Sequence, residues 1–284
     1  DPIRHEDYYR TMAFFNNSRD EDTPSEDPNL RFYIKEQQEK ANAVNRWVLN
    51  HGSEDLARKY MDFITFMEPK YQAHNATNFV NGELADTKWL ALWDDGSCTL
   101  KNVNTQGAGY MYMNYSAGID GTRMTIRKNN ANGGILAQFT TDKTKTTIRK
   151  IPFKKVNEAM DLYFETNNDH IPKQTSTSFI TWFAFLEDMP GSGETGFETV
   201  NTTFLDLLND HTPELPIMVE NKAYMARATQ VFERGNWLAK GDTVQPGTPP
   251  VLNAWDSNWP KNRYGLSQWI VSKENPLTAR TLVN

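Results

Sequence analysis

The sequence predicts an α+β multidomain protein in which an antiparallel β-sandwich, a jelly roll, is inserted between mainly α-helical flanking segments. Three observations carry this. Apolar residues recur at helical spacing over residues 1–66, the spacing drops to alternation near Glu68 and keeps it to about Asp188, and the remainder mixes helical and turn-rich patterns. At 284 residues, with 38% hydrophobic and 12% aromatic, the chain can bury a sizeable core. The expected domains are a helical segment over 1–66, the sandwich over 67–189 and a mixed, mainly helical part over 190–284 that packs with the first.

The elements follow in order. Tyr8, Met12 and Phe15 fall at i, i+4, i+7 and make a short amphipathic helix that stops near Asn16 and Asn17. Residues 19–28 are acidic and proline-punctuated, a solvated loop. Leu30, Tyr33, Ile34, Gln37, Ala41, Val44 and Val48 trace one face of a longer helix, with Glu36 and Lys40 spaced for an ion pair. Gly52 ends it, Ser53 caps the next, and Leu56, Tyr60, Phe63 and Met67 form that helix's inner face. Strands are expected at 89–93, 110–116, 122–128, 134–140, 160–166 and 178–186, divided by turn residues such as Asp95-Gly96 and Asp120-Gly121. Short strands at this spacing with no helix between them predict an antiparallel sandwich. In it Trp182, which alternates with Phe179, Phe183 and Phe185, reads as core. Beyond, 190–196 is a Gly/Ser linker, 204–208 a short helix, 219–232 a strand or edge element, and Leu266, Trp269 and Ile270 share one helical stripe. Asn275 and Pro276 then suit the N-cap and first position of a last helix.

The net charge of −6, with Lys and Arg scattered, argues against a nucleic-acid partner. No apolar run is long enough to span a bilayer. The single cysteine, Cys98, excludes an internal disulfide and c-type haem attachment within this sequence, and its place in a strand reads as a small buried residue. The histidines His5, His51, His74, His170 and His211 show no metal-ligand spacing, and His5 reads as a surface residue at a helix start. Glu165, Glu187 and Asp188 are generic candidates for paired-carboxylate chemistry.

Two resemblances add to this. RGNWLAKGDTVQPGTPP (234–250) with NRYGLSQWIVSKENPLTARTLVN (262–284) resembles the C-terminal domain of the planctomycete cytochrome-associated proteins. DPIRHEDYYRTMAFFNNSRDEDT (1–23) is similar to the end of the partner domain of that family, where a haem-attachment motif precedes the segment. The resemblance implies an exported, periplasmic or cell-surface parent with an upstream haem domain, and no haem in this fragment. The order YMYMNYSAGIDGTRMTIRKNNANGGILAQFTTDKT, DLYFETNN, SFITWFAF resembles the family 6 carbohydrate-binding modules over about 66–188. It implies a jelly roll without catalysis that binds a glycan or polysaccharide.

A pyranose presents apolar C–H faces to an aromatic ring and hydroxyls to polar side chains. Carried over by position, the ligand-binding candidates are Trp89 and Trp93 as stacking platform, with Glu68 and Tyr71 from the first strand. The modules' usual Asn before the closing-strand Trp is absent here, where Thr177, Ser178 and Phe179 stand. The family's structural calcium implies Glu68, Glu187 and Asp188 as hard oxygen ligands. The expected function is a non-catalytic, glycan-binding fragment of an exported cytochrome-associated protein. The alternatives are part of a haem-dependent redox or electron-transfer protein with the sandwich as targeting module, or a purely structural spacer if Trp89 and Trp93 are buried.

Overall fold

The computed structural model describes residues 2–19, 21 and 26–283. They form two compact units, one built from the chain ends up to Arg19 and from Met218 onward, the other from the chain between. The boundaries thus fall near 19 and 218, whereas the change of periodicity places them near 66 and 190. Half of the acidic stretch expected over 19–28 lies outside the described residues.

The unit of the chain ends opens with α1 (His5–Asn16) and β1 (Ser18–Arg19). The Asp7 carboxylate accepts the Arg4 N–H at 3.0 Å, placing negative charge at the helix start. The inner face of α1 is Tyr9, Ala13 and Phe14, while Tyr8, Met12 and Phe15 are 57%, 45% and 50% exposed. The stripe read as the packing face is therefore the outer one. The helix is apolar on two sides, and its ring partners lie on the other: Phe14 stacks on Trp255 at 5.2 Å and Tyr9 meets Phe232 edge-on at 5.4 Å.

The central unit runs β2 (Asn29–Arg31), α2 (Lys35–His51), α3 (Glu54–Phe66), β3 (Tyr71–Gln72), β4 (Thr77–Ala85), β5 (Trp89–Asn104), β6 (Tyr110–Ala117), β7 (Thr122–Lys128), β8 (Ile135–Thr141), β9 (Thr144–Pro152), β10 (Ala159–Asn167), β11 (Ser178–Leu186), α4 (Phe197–Asn209) and β12 (Glu214–Pro216). Its strands form an antiparallel jelly-roll sandwich. The first half of β5 pairs with β11 and the end of β4, and its second half with β10 and the start of β4. One sheet is thus β4–β5–β11–β6–β9, with β3 beside β11, and the other β4–β5–β10–β7–β8. Leu90, Leu92, Cys98, Met111, Met113, Met124, Ile126, Leu162, Phe164 and Phe183 fill the space between them.

A second core lies outside the first sheet. Tyr112, Ile148, Trp182, Ala184 and Leu186 point away from the sandwich interior and meet Ala41, Val44 and Val48 of α2, Tyr60 and Phe63 of α3, and Phe204 and Leu207 of α4. This is why the helices belong with the sandwich: their apolar faces close on its sheet. The caps follow the sequence. The Ser53 hydroxyl accepts the Leu56 N–H at 3.1 Å, and Glu36 pairs with Lys40 at 3.0 Å. Leu30 sits instead in β2, and Ile34 is exposed just before α2.

Arg31 ties the helical layer to the strand pair β2–β12. Its buried guanidinium donates to the carbonyls of Ile64, Leu207 and Asp210 at 3.4, 3.1 and 2.6 Å and to the Tyr33 hydroxyl at 2.6 Å. Glu214 of β12 lies 3.5 Å from its Nε. Tyr33 in turn donates to Ile64 at 2.8 Å, and burial pushes its hydroxyl up to about 12.

The chain-end unit resumes with β13 (Val219–Glu220), β14 (Thr229–Phe232), β15 (Lys240–Val244), α5 (Arg263–Val271) and α6 (Thr278–Val283). β13 pairs with β1, and β14 with β15. Phe14, Leu266 and Trp269 form its core, flanked by Leu252, Trp255 and Trp259. Ile270, read on the same stripe as Leu266 and Trp269, is exposed. Asn275 caps the last helix, accepting from Leu277 N–H at 3.0 Å and Thr278 N–H at 3.3 Å.

Replacing Arg31 by Met leaves the Leu207 and Asp210 carbonyls without their donor, while Ile64 keeps Tyr33. The central unit is expected to lose about 3 kcal/mol or more, seen as a lower denaturant midpoint at unchanged m-value. Arg31→Lys keeps the charge but not the fork, and should recover only part of the loss. A midpoint equal to wild type for the Met variant would mean that water replaces the guanidinium.

Candidate functional site

Alternation along β5 sets the site. Leu90 and Leu92 point into the sandwich core, so Trp89, Ala91 and Trp93 face outward. Both indoles are half-buried, whereas Ala91 between them is fully covered. Four residues of strand separate the two rings by about 13 Å. Ala91 lies opposite Glu83 on β4 and opposite Phe179 on β11, and cross-strand partners share a face. Phe179 is 37% exposed and Glu83 is exposed. The outward surface therefore carries three aromatic rings and a carboxylate.

The flanks are ordered by backbone chemistry. Asp86 and Thr87, both left-handed (φ 51° and 61°), make the tight turn from β4 to β5, closed by Lys88 N–H donating to Ala85 at 2.9 Å. The Lys88 ammonium lies 5.7 Å from the centre of the Trp89 ring. On the other side the Thr166 hydroxyl donates to the Trp93 carbonyl at 2.7 Å, and the Asp94 carboxylate accepts the Asn168 N–H at 2.7 Å.

The other two ligand candidates are employed elsewhere. The Tyr71 ring packs against the sandwich core, its hydroxyl donating to the Asn104 carbonyl at 3.1 Å and accepting the Asn104 N–H at 2.9 Å. Glu68 is buried and accepts the Lys70 N–H at 2.9 Å. The Lys70 ammonium lies 3.9 Å from Glu68, 2.8 Å from Asp27 and 5.5 Å over the ring of Trp182. The structure thus brings Trp89 and Trp93 to one face, and gives Tyr71 and Glu68 to packing and to a buried charge network.

The calcium set does not fit the residues present. Glu187 is held by Lys59 at 2.5 Å; Asp188 is held by Lys155 at 2.7 Å and accepts the Gly109 N–H at 2.9 Å. Glu68 belongs to the Lys70 network. Among the described residues no three His, Cys, Asp or Glu converge, whereas calcium takes about six to eight oxygens. Each of these carboxylates faces a lysine, and Lys59 and Lys70 each serve a second carboxylate as well, Asp55 and Asp27. Glu165 is likewise held by Arg127 at 2.6 Å. Cys98 is fully buried, and burial pushes its thiol up to about 12, which leaves it no nucleophilic role near neutral pH.

Alternation in the sequence does not place Phe179. A register shift between Ile180 and Trp182 reverses the phase of β11. Phe183 and Phe185 therefore enter the sandwich, Trp182 turns to the helices, and Phe179 lies outside. Glu83 gave no signal because β4 itself was not expected: it is largely exposed and holds Asn78 and Asn81 at positive φ.

No family model and no curated protein matches the chain. Among solved structures it is similar to a family 6 carbohydrate-binding module from Clostridium cellulolyticum in complex with xylose, at 17% identity, covering 42% of this chain and 97% of that one, TM-score 0.36. It is also similar to such a module from Clostridium stercorarium in complex with cellobiose, at 15% identity, 42% and 94% coverage and TM-score 0.34. A third is the carbohydrate-binding module CBM36 in complex with calcium and xylotriose, at 11% identity, 41% and 98% coverage and TM-score 0.32. At these identities and scores the likeness assigns no role to any residue here.

Two predictions follow from burial. Trp182→Ala, which opens a hole between sheet and helices, is expected to cost about 3–5 kcal/mol. Trp89→Ala and Trp93→Ala are expected to cost about 1 kcal/mol each; equal losses at all three sites in urea titrations would make the indoles core. For Cys98, the unfolded thiol releases its proton above about pH 9 and the native thiol does not until about 12. Native stability should therefore fall as pH rises through that window. The fall should be shallower in Cys98→Ala, measured as the pH dependence of the urea midpoint.

Proposed function

We propose that the central unit is a non-catalytic glycan-recognition module whose platform is Trp89 and Trp93 with Phe179 beside them. The observation that carries this is the outward, half-exposed placement of both indoles on a strand whose alternate residues fill the core. An indole face receives the C–H face of a pyranose, and its rigid ring loses little conformational entropy on doing so. Glu83 can accept from sugar hydroxyls and Lys88 can donate to them. The platform is a strip along one strand, which suits a chain of sugars lying across the sheet better than an enclosed monosaccharide.

The parent is read as an exported, periplasmic or cell-surface, cytochrome-associated protein, on the strings at the two chain ends alone. Within it the module would target or space a haem domain that precedes residue 1. A spacer is the second reading, and the complete burial of Ala91 between the rings favours it.

The test is binding of the whole chain to a panel of neutral plant and bacterial polysaccharides, with and without EDTA. Binding is expected, unaffected by the chelator, and weakened at least about tenfold (about 1.4 kcal/mol) in Trp89→Ala/Trp93→Ala with the circular dichroism spectrum retained. A chain that binds no polysaccharide, or binds equally well without both indoles, is a spacer at this face.

A further inference from the structure

The chain-end unit holds a groove of different chemistry. Two cavities, of about 540 and 490 Å³, share Ala228 and Thr229 of the segment entering β14. The larger is walled by Tyr8, Tyr9 and Met12 of α1 and by Phe232, with Lys240 at its rim. The smaller continues past Thr243 and Val244 to Arg227 and Lys261. Phe232 and Lys240 are directly opposed across the β14–β15 ribbon, so ring and ammonium share a face. Tyr9 meets Phe232 edge-on at 5.4 Å, and Tyr8 stands edge-on to Tyr9 at 5.2 Å. From Lys240 to Val244 the trough follows β15 for about 14 Å.

The charge along this trough has one sign. Arg227, Lys240 and Lys261 are exposed at it. Among the described lining residues the carboxylate is Glu220, which Arg263 already holds at 2.8 Å. The asymmetry extends to the whole unit: residues 1–19 and 218–284 carry eleven Lys and Arg against eight Asp and Glu, in a chain of net charge −6. The exposed side of α1 also gains a use, because Tyr8 and Met12 are its apolar residues that line the groove.

We propose that this groove binds an extended acidic glycan, one bearing carboxylates on its sugar rings. Tyr8 and Phe232 offer apolar faces to the pyranoses. Lys240 and Lys261, at the two ends, meet carboxylates, and the side chains of Asn16, Gln230 and Thr243 meet hydroxyls. Three cations spread over this length suit the sparse charge of a uronate chain better than the dense charge of a nucleic-acid backbone. The proposal is independent of the indole platform, since no residue is common to both.

The experiment uses the whole chain with polygalacturonate, its fully methyl-esterified form and oligo-dT, by affinity electrophoresis and calorimetry at low and high salt. Expected is binding to polygalacturonate at least about tenfold tighter than to the ester, weakening with salt. Lys240→Gln/Lys261→Gln should abolish that preference, and Tyr8→Ala should weaken binding. Trp89→Ala/Trp93→Ala should leave it intact, which separates this groove from the platform. All five side chains of the groove and platform that carry the test are partly or wholly exposed, and unchanged circular dichroism confirms folding. Equal affinity for the ester, no effect of the lysine variants, no binding at all, or tighter binding of oligo-dT would each overturn the proposal, the last in favour of a single-strand platform.

Discussion

The central unit depends on one buried cation. Arg31 reaches the C-terminal carbonyls of two helices at once, Ile64 of α3 and Leu207 of α4, together with Asp210 just beyond. Helix ends leave carbonyls unpaired and carry partial negative charge, so a guanidinium placed there satisfies both hydrogen bonding and the dipole. The two ends are distant in sequence and no local cap could serve both. Because β2 carries the arginine and pairs with β12, the position of the helices is fixed relative to the strand pair that brackets them. Buried charge without partners would be costly; here every partner is a backbone group or a neighbour that itself needs a donor.

That fixed helical layer decides which part of the sheet is open. α2, α3 and α4 cover the outer residues of β6, β9 and the end of β11, where Tyr112, Ile148 and Trp182 are buried. The start of β11 and the first half of β5 have no such cover, and Trp89, Trp93 and Phe179 occupy that part of the face. The same sheet thus uses its aromatic residues in two ways along its length. Trp182 packs under helices and Lys70, while the two β5 indoles keep part of their surface in water. The length of β5 makes this possible, since one strand contributes to both sheets and ties the open face rigidly to the core.

The fold was legible where burial and periodicity coincide. The strand at 160–166 alternates cleanly because one side enters the core, those at 110–116 and 122–128 stand out by their apolar runs between turns, and Ser53 and Asn275 cap as their side chains allow. β4 and β9 were illegible because edge and polar positions give no alternation: β9 reads TKTTIRKIP. The phase of β11 could not be seen, since a bulge is a property of pairing and leaves no local mark in SFITWFAFL. α1 shows the limit of the helical stripe. With Tyr8, Tyr9, Met12, Phe14 and Phe15 in one short helix, two faces qualify, and only the position of Trp255 and Phe232 chooses between them. Of the candidate site, the indoles came from the resemblance to carbohydrate-binding modules; Phe179 and Glu83 required the register.

The carboxylates that the sequence offers for paired chemistry are each engaged by a basic side chain. Glycoside cleavage asks for two carboxyl groups across one bond, one of them protonated when the leaving group departs. Glu165, Glu187 and Asp188 each have a basic side chain within 2.7 Å. A cation at that distance occupies the lone pairs a substrate would need. Glu165 moreover pairs into the sheet opposite Ser97 and Thr125, away from the first half of β5. At the indoles stands Glu83, opposite Ala91. A carboxylate beside aromatic rings can orient a hydroxyl, but acid and base roles need a second group whose proton affinity is driven apart from the first. The outward face offers three aromatic rings and the Glu83 carboxylate, the contacts on which the proposed recognition of a glycan rests.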